Sequence, residues 1–125
     1  MMPQQILVAD DSDAFRRVIR TCLAERDFRV CGDAFDGEDT IEKAWKLKPD
    51  LVLLDLAMPR TNGIVVASVL KEMMPSVRII LFTMYSEAVR RTFSPQGIAA
   101  DAVIDKADGM NNLMECIEAL PPSSY

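Results

Sequence analysis

The sequence predicts an α/β domain: a (βα)5 three-layer sandwich around a five-stranded parallel sheet of order 2-1-3-4-5. Three observations lead there. Short continuous apolar runs alternate with stretches of helical apolar spacing, the signature of successive βα units. The inner runs carry almost no polar residue, as expected of strands buried on both faces. The 125 residues are enough for one domain and leave little room for a second.

The elements follow in order. Ile6-Leu7-Val8-Ala9 reads as a buried strand. Phe15, Val18, Ile19, Cys22 and Leu23 then fall at helical spacing, with Ser12 or Asp11 available as the cap. Phe28-Arg29-Val30-Cys31 alternates, as a strand with one less protected face does. Gly37 leads into a helix with Ile41, Ala44 and Trp45 on one side, ended by Pro49. Leu51-Val52-Leu53-Leu54 is a second buried run, followed by a loop holding Pro59 and Gly63. Val65, Val66, Val69, Leu70 and Met73 make the next stripe, and Val77 to Phe82 the next strand. A short helix over 86–93 precedes Pro95 and Gly97, Ala102-Val103-Ile104 is a brief last strand, and Met110, Leu113, Met114, Ile117 and Leu120 form the last helix face. The alternating second strand and the brief fifth suit the two edges, which gives the flavodoxin-like order. The domain is expected over 1–120, with 121–125 as a tail or the start of a linker.

Composition narrows the chemistry. Lys and Arg total 14 against 19 Asp and Glu, a net charge of -5, which disfavours direct contact with nucleic acid. Histidine is absent, so His-based triads and His-ligated metals are excluded. Cys22, Cys31 and Cys116 are odd in number and contain no CxxC pair, which suits reduced thiols in a cytoplasmic setting. No leader segment and no bilayer-length apolar run is visible, so no membrane contact is expected.

In an open parallel sheet, ligands bind at the carboxyl ends of the strands. Asp10 and Asp11 follow the first strand, Asp55 the third, Thr83 the fourth, and Asp105 and Lys106 the fifth. Taken singly, each has a bland reading: a helix cap, a polar strand end, an edge hydroxyl, a solvated charge. Their coincidence at the ends of four strands favours a site. Crowded carboxylates repel unless a cation is shared, and hard oxygen ligands favour Mg²⁺. A set of Mg²⁺, Lys106 and Thr83 suits a phosphoryl group, with a carboxylate as the nearest nucleophile.

Ile6 to Asp11, Asp50 to Pro59, Asn62-Gly63, Leu81-Phe82-Thr83 and Lys106 together resemble the receiver domain of two-component response regulators, over nearly the whole chain. The resemblance implies that Asp55 accepts a phosphoryl group from a histidine kinase or phosphotransfer protein. It implies Mg²⁺ held by the side chains of Asp11 and Asp55 and the backbone carbonyl of Ala57, with Asp10 acting mostly through water. Thr83 and Lys106 would each bind a phosphoryl oxygen. The domain would be a switch rather than an enzyme, catalysing only its own phosphoryl transfer and dephosphorylation. Phosphorylation would change the surface made by the fourth helix, fifth strand and fifth helix, toward an output domain, an effector protein or a second copy of the chain. Three departures stand out: Val103 where the family carries an aromatic, Met84 after Thr83, and Ala107 after Lys106. A pseudo-receiver acting as a protein-interaction module is the alternative these departures raise. Asp11-Ser12-Asp13 also resembles the DxD motif of haloacid-dehalogenase-type phosphatases, but Phe15 departs from it and the scheme leaves Asp55 without a role.

Overall fold

The computed structural model describes residues 4–92 and 97–120. Five strands form one parallel sheet: β1 (Gln5–Ala9), β2 (Arg29–Ala34), β3 (Leu51–Leu54), β4 (Arg78–Thr83) and β5 (Ala102–Asp105). Their order is β2-β1-β3-β4-β5, with every pairing parallel. Parallel neighbours need a crossover, and the helices supply it: α1 (Asp13–Ala24), α2 (Gly37–Leu47), α3 (Gly63–Met73), α4 (Ser86–Thr92) and α5 (Gly109–Ala119). Between β3 and α3, Ala57–Met58 and Thr61–Asn62 form a small antiparallel ladder. The expected stop at Pro95 and the tail at 121–125 lie outside the described residues.

The two-residue period of the strands divides the core in two. Leu7, Ala9, Val52, Leu54, Ile79 and Leu81 face α2, α3 and α4, against Ala44, Ala67, Leu70 and Val89. Ile6, Val8, Leu51, Leu53, Ile80 and Phe82 face α1 and α5, against Ile19, Leu23, Leu113, Met114 and Ile117. Both faces are covered, which is why the inner strands read as nearly continuous apolar runs, interrupted only by Arg78.

Several local expectations are corrected. β2 runs to Ala34 rather than stopping at Cys31, because Asp33 on this edge is satisfied by Arg16 and Arg20. Trp45 is 57% exposed, not core-facing, with the Lys48 ammonium 3.2 Å from its ring centroid. Ala44 faces the sheet, and a turn of about 100° per residue carries the next side chain off that face. Val18 and Val65 likewise stand outside the stripes set by Ile19 and Leu23, and by Val66 and Leu70. The three cysteines are half-buried at the margins of the two cores. Burial pushes the thiols of Cys31 and Cys116 up, so they stay protonated packing groups.

Candidate functional site

The carboxyl ends of β1 and β3 adjoin at the point where the strand order reverses. Ala9 pairs with Leu54, so the next residues, Asp10 and Asp55, leave the sheet side by side. Backbone bonds fix both: Asp10 N–H donates to Ala34 O at 3.0 Å, and Asp55 N–H to Ala9 O at 2.9 Å. Asp10 and Asp55 are buried, whereas Asp11 is exposed. One carboxylate oxygen from each of the three lies within 4.8 Å of the others.

Ser12, not Asp11, caps α1, accepting from Phe15 N–H at 3.2 Å. That leaves the Asp11 carboxylate free of the capping role. Asp10 Oδ1 accepts from Ser12 N–H at 2.8 Å, which holds the turn carrying all three residues. Asp55 Oδ1 accepts from Ala57 N–H at 3.3 Å, so the next turn closes on its own carboxylate.

Gly63 completes that turn. It donates its N–H to Leu56 O at 3.0 Å, and Asn62 Oδ1 accepts from Ile64 N–H at 2.9 Å to start α3. A Cβ on Gly63 would sit 2.6 Å from Asp55 O and 2.7 Å from Leu56 Cα, both backbone atoms. Neither can yield without moving Asp55. Gly63→Ala is therefore expected to cost about 2 kcal/mol, in the range of overpacked sites, measured by urea unfolding.

Lys106, just beyond β5, reaches back across the sheet ends. Its ammonium donates to Asp10 Oδ2 at 2.7 Å and to Asp55 Oδ2 at 3.2 Å. It also sits 4.2 Å from the Phe15 ring centroid, and Phe15 in turn packs on Phe82. Burial works against the charge on Lys106. The bond to Asp10 and the charges of Asp55 and Asp10 outweigh it and hold the ammonium above the ordinary lysine range. Burial pushes the Asp55 carboxyl up; Lys106 opposes this, and the nearby Asp10 adds to it.

Thr83, the last residue of β4, is fully buried, and its hydroxyl oxygen accepts from Tyr85 N–H at 3.2 Å. Its own O–H proton is left to donate. Met84 and Tyr85 are exposed, so their side chains project largely into solvent. Val103, at the position read as a departure from the family's aromatic, is half-buried against the α2–α3–α4 core.

Three carboxylates with no nitrogen or sulfur donor among them fit a hard divalent cation such as Mg²⁺. Asp10, Asp11 and Asp55 would hold it, with Ala57, exposed at the start of the small ladder, offering its carbonyl. Asp13 is not part of this set: it lies on α1, paired to Arg16 at 3.0 Å and Arg17 at 2.7 Å. The DxD reading loses its second carboxylate there.

Sequence reasoning missed Arg16. Its guanidinium donates to the Asp10 backbone carbonyl at 2.5 Å and to Asp33 at 3.2 Å, bracing the turn of Asp10 and Asp11 against β2. The signal available was its i,i+3 spacing from Asp13, which marks a shared helix face.

The fold and site together define an open, doubly wound domain with a carboxylate–ammonium cleft at its switch point. The chain belongs to the response regulator receiver domain family, whose model matches residues 6–118. It is 32% identical over 117 residues to response regulator protein VraR of Staphylococcus saprophyticus, covering 93% of this chain and 56% of that protein. It is 40% identical over 107 residues to a protein-glutamate methylesterase/protein-glutamine glutaminase of Geobacter sulfurreducens, covering 82% of this chain and 28% of that protein. The crystal structure of response regulator TrrA from Thermotoga maritima, in complex with Mg²⁺-BeF, superposes with a TM-score of 0.83 at 31% identity, covering 92% of this chain and 96% of that one. The chain thus spans about half or less of the curated relatives it matches, and the part it shares with the methylesterases is the receiver. Among the described residues, no helix is long and apolar enough to cross a membrane. The domain is a two-component receiver, and a phosphatase of the haloacid-dehalogenase type is not favoured.

Proposed function

We infer that Asp55 accepts a phosphoryl group from the phosphohistidine of a histidine kinase or phosphotransfer protein, with Mg²⁺ held by Asp10, Asp11, Asp55 and the Ala57 carbonyl. The observation that carries this reading is the buried Asp55 carboxylate, 3.2 Å from the Lys106 ammonium and beside two further carboxylates. An Asp55 oxygen attacks phosphorus, and the phosphorus–nitrogen bond breaks with its electron pair on the donor imidazole. Lys106 exchanges a carboxylate for a phosphoryl oxygen, and the Thr83 hydroxyl donates to another. Mg²⁺ bound there would supply charge neutralisation for the remaining oxygens. These 125 residues carry no histidine, so the donor imidazole lies outside them.

On this reading the receiver occupies 1–120, works in the cytoplasm, and residues 121–125 begin a linker or tail. It is a switch that catalyses only its own phosphoryl transfer and loss. The face of α4, β5 and α5 then meets an output domain, an effector or a second copy of the chain.

The test is intact mass after incubation with Mg²⁺ and acetyl phosphate. One phosphoryl group is expected, absent with EDTA. Mg²⁺ alone at about 100 times its dissociation constant should raise unfolding stability by about 2.7 kcal/mol, seen as an upward shift in Tm. No adduct from acetyl phosphate or from a panel of kinases would leave the interaction-module reading instead.

A further inference from the structure

One partly buried polar contact is not used by the chemistry above. Ser86, the first residue of α4, is 2% exposed, and its hydroxyl donates to Asp105 Oδ2 at 2.6 Å. The other oxygen of Asp105 accepts from Ala107 N–H at 2.8 Å. The Ser86 hydroxyl, and then the Ala107 amide, hold this carboxyl below the usual carboxylate range. Both oxygens are therefore engaged, one by α4 and one by the turn that follows β5.

The position of this contact gives it meaning. Asp105 pairs with Thr83 across the β4–β5 ladder and immediately precedes Lys106. Ser86 follows Thr83 by three residues, at the end of the Met84-Tyr85 turn whose amide bonds the Thr83 hydroxyl. The two residues named above as phosphoryl ligands thus sit on two segments joined by one charge-assisted side-chain bond. Asp105, the last residue of β5, bonds Ser86 of α4, while Lys106, the next residue, reaches Asp10 and Asp55.

The geometry points to Ser86 and Asp105 as a positioning pair that locks the Thr83 turn to the strand end carrying Lys106, and so fixes the two phosphoryl ligands relative to each other. The pair touches no reacting atom and acts through Lys106 and Thr83. It rests on the phosphoryl-acceptor reading. With Val103 lacking an aromatic ring, this bond is also a direct tie between the start of α4 and the end of β5.

The test is a double-mutant cycle on the full chain: wild type, Ser86→Ala, Asp105→Asn and the double variant. Phosphorylation by acetyl phosphate is followed across Mg²⁺ concentrations. Each single variant should lower the saturating rate about tenfold, the scale of one charge-assisted hydrogen bond. The half-saturating Mg²⁺ concentration should stay as in wild type, since Asp10, Asp11 and Asp55 are untouched. The double variant should be no slower than either single one, because the two groups act as a unit. Additive losses, unchanged rates, or a matching rise in the Mg²⁺ requirement would overturn the pairing. Amide hydrogen exchange gives a second reading that needs no phosphorylation. Ser86→Ala should speed exchange at Ala107, whose amide it does not touch but Asp105 holds. If wild type takes up no phosphoryl group, the acceptor reading fails, and the coupling is then judged on Ala107 alone: unchanged exchange there sinks it too.

Discussion

Asp55→Asn is expected to abolish phosphoryl uptake from acetyl phosphate while making the metal-free domain more stable. The loss follows from removing the attacking oxygen: an amide offers no anionic nucleophile, and the intact mass should not change on incubation. The gain follows from the environment of the carboxylate. Burial, and next to it the charge of Asp10, push its protonation upward despite the opposing Lys106. A carboxyl that binds its proton more tightly when folded favours the folded state in acid and works against it once ionised. At neutral pH the neutral amide should therefore make the metal-free domain more stable than wild type. That gain should shrink to nothing as the pH falls below the ordinary carboxylate value of 3.8. Urea unfolding in EDTA at neutral and acid pH checks both parts. A variant that is less stable at neutral pH would show that Lys106 outweighs burial.

Removing Lys106 has the opposite sign and a larger size. Its ammonium is the counter-charge to Asp10 and Asp55, both buried beside it. Lys106→Met keeps the stem against Phe15 but leaves those carboxylates unpaired. A loss of about 3 kcal/mol is expected in EDTA at neutral pH, the low end for breaking a buried pair. Because the lysine is held above its ordinary range, its contribution persists through neutral and mildly alkaline pH and is lost only as the pH rises through the folded value. Added Mg²⁺ should restore part of the stability, but not the rate of phosphorylation. Urea unfolding with and without Mg²⁺, beside the mass assay, separates the two. A loss under about 1 kcal/mol would mean that solvent screens the pair.

Most of the site was legible because parallel strands announce their ends. Asp10, Asp55 and Thr83 each follow an apolar run without a break, and the residue after such a run must lie on the carboxyl rim. Sheet order could be read from the contrast between the continuous inner strands and the broken edges. Side-chain facing on the helices was less accessible. Apolar type alone did not separate Val18, Trp45 and Val65 from their buried neighbours, because each lies beside its stripe and the packing partner decides which flank is covered. The Ser86–Asp105 bond was also missed. Nineteen positions separate the two, and only the pairing of β4 with β5 brings them together. Asp33 hid the second half of β2 for a related reason, since its partners Arg16 and Arg20 belong to the preceding helix.

The single ammonium set among three carboxylates also governs which molecules can approach. Asp10, Asp11 and Asp55 outnumber Lys106 by two negative charges, the amount that one divalent cation carries. Until that charge is balanced, the mouth of the cleft repels any anion, and every phosphoryl donor is an anion. The cation requirement therefore acts on encounter as well as on bond making. At low metal, added monovalent salt should raise the frequency of productive collisions with a small anionic donor, whereas at saturating metal it should have little effect. A donor delivered on the surface of a protein partner is carried past this barrier by its own docking contacts.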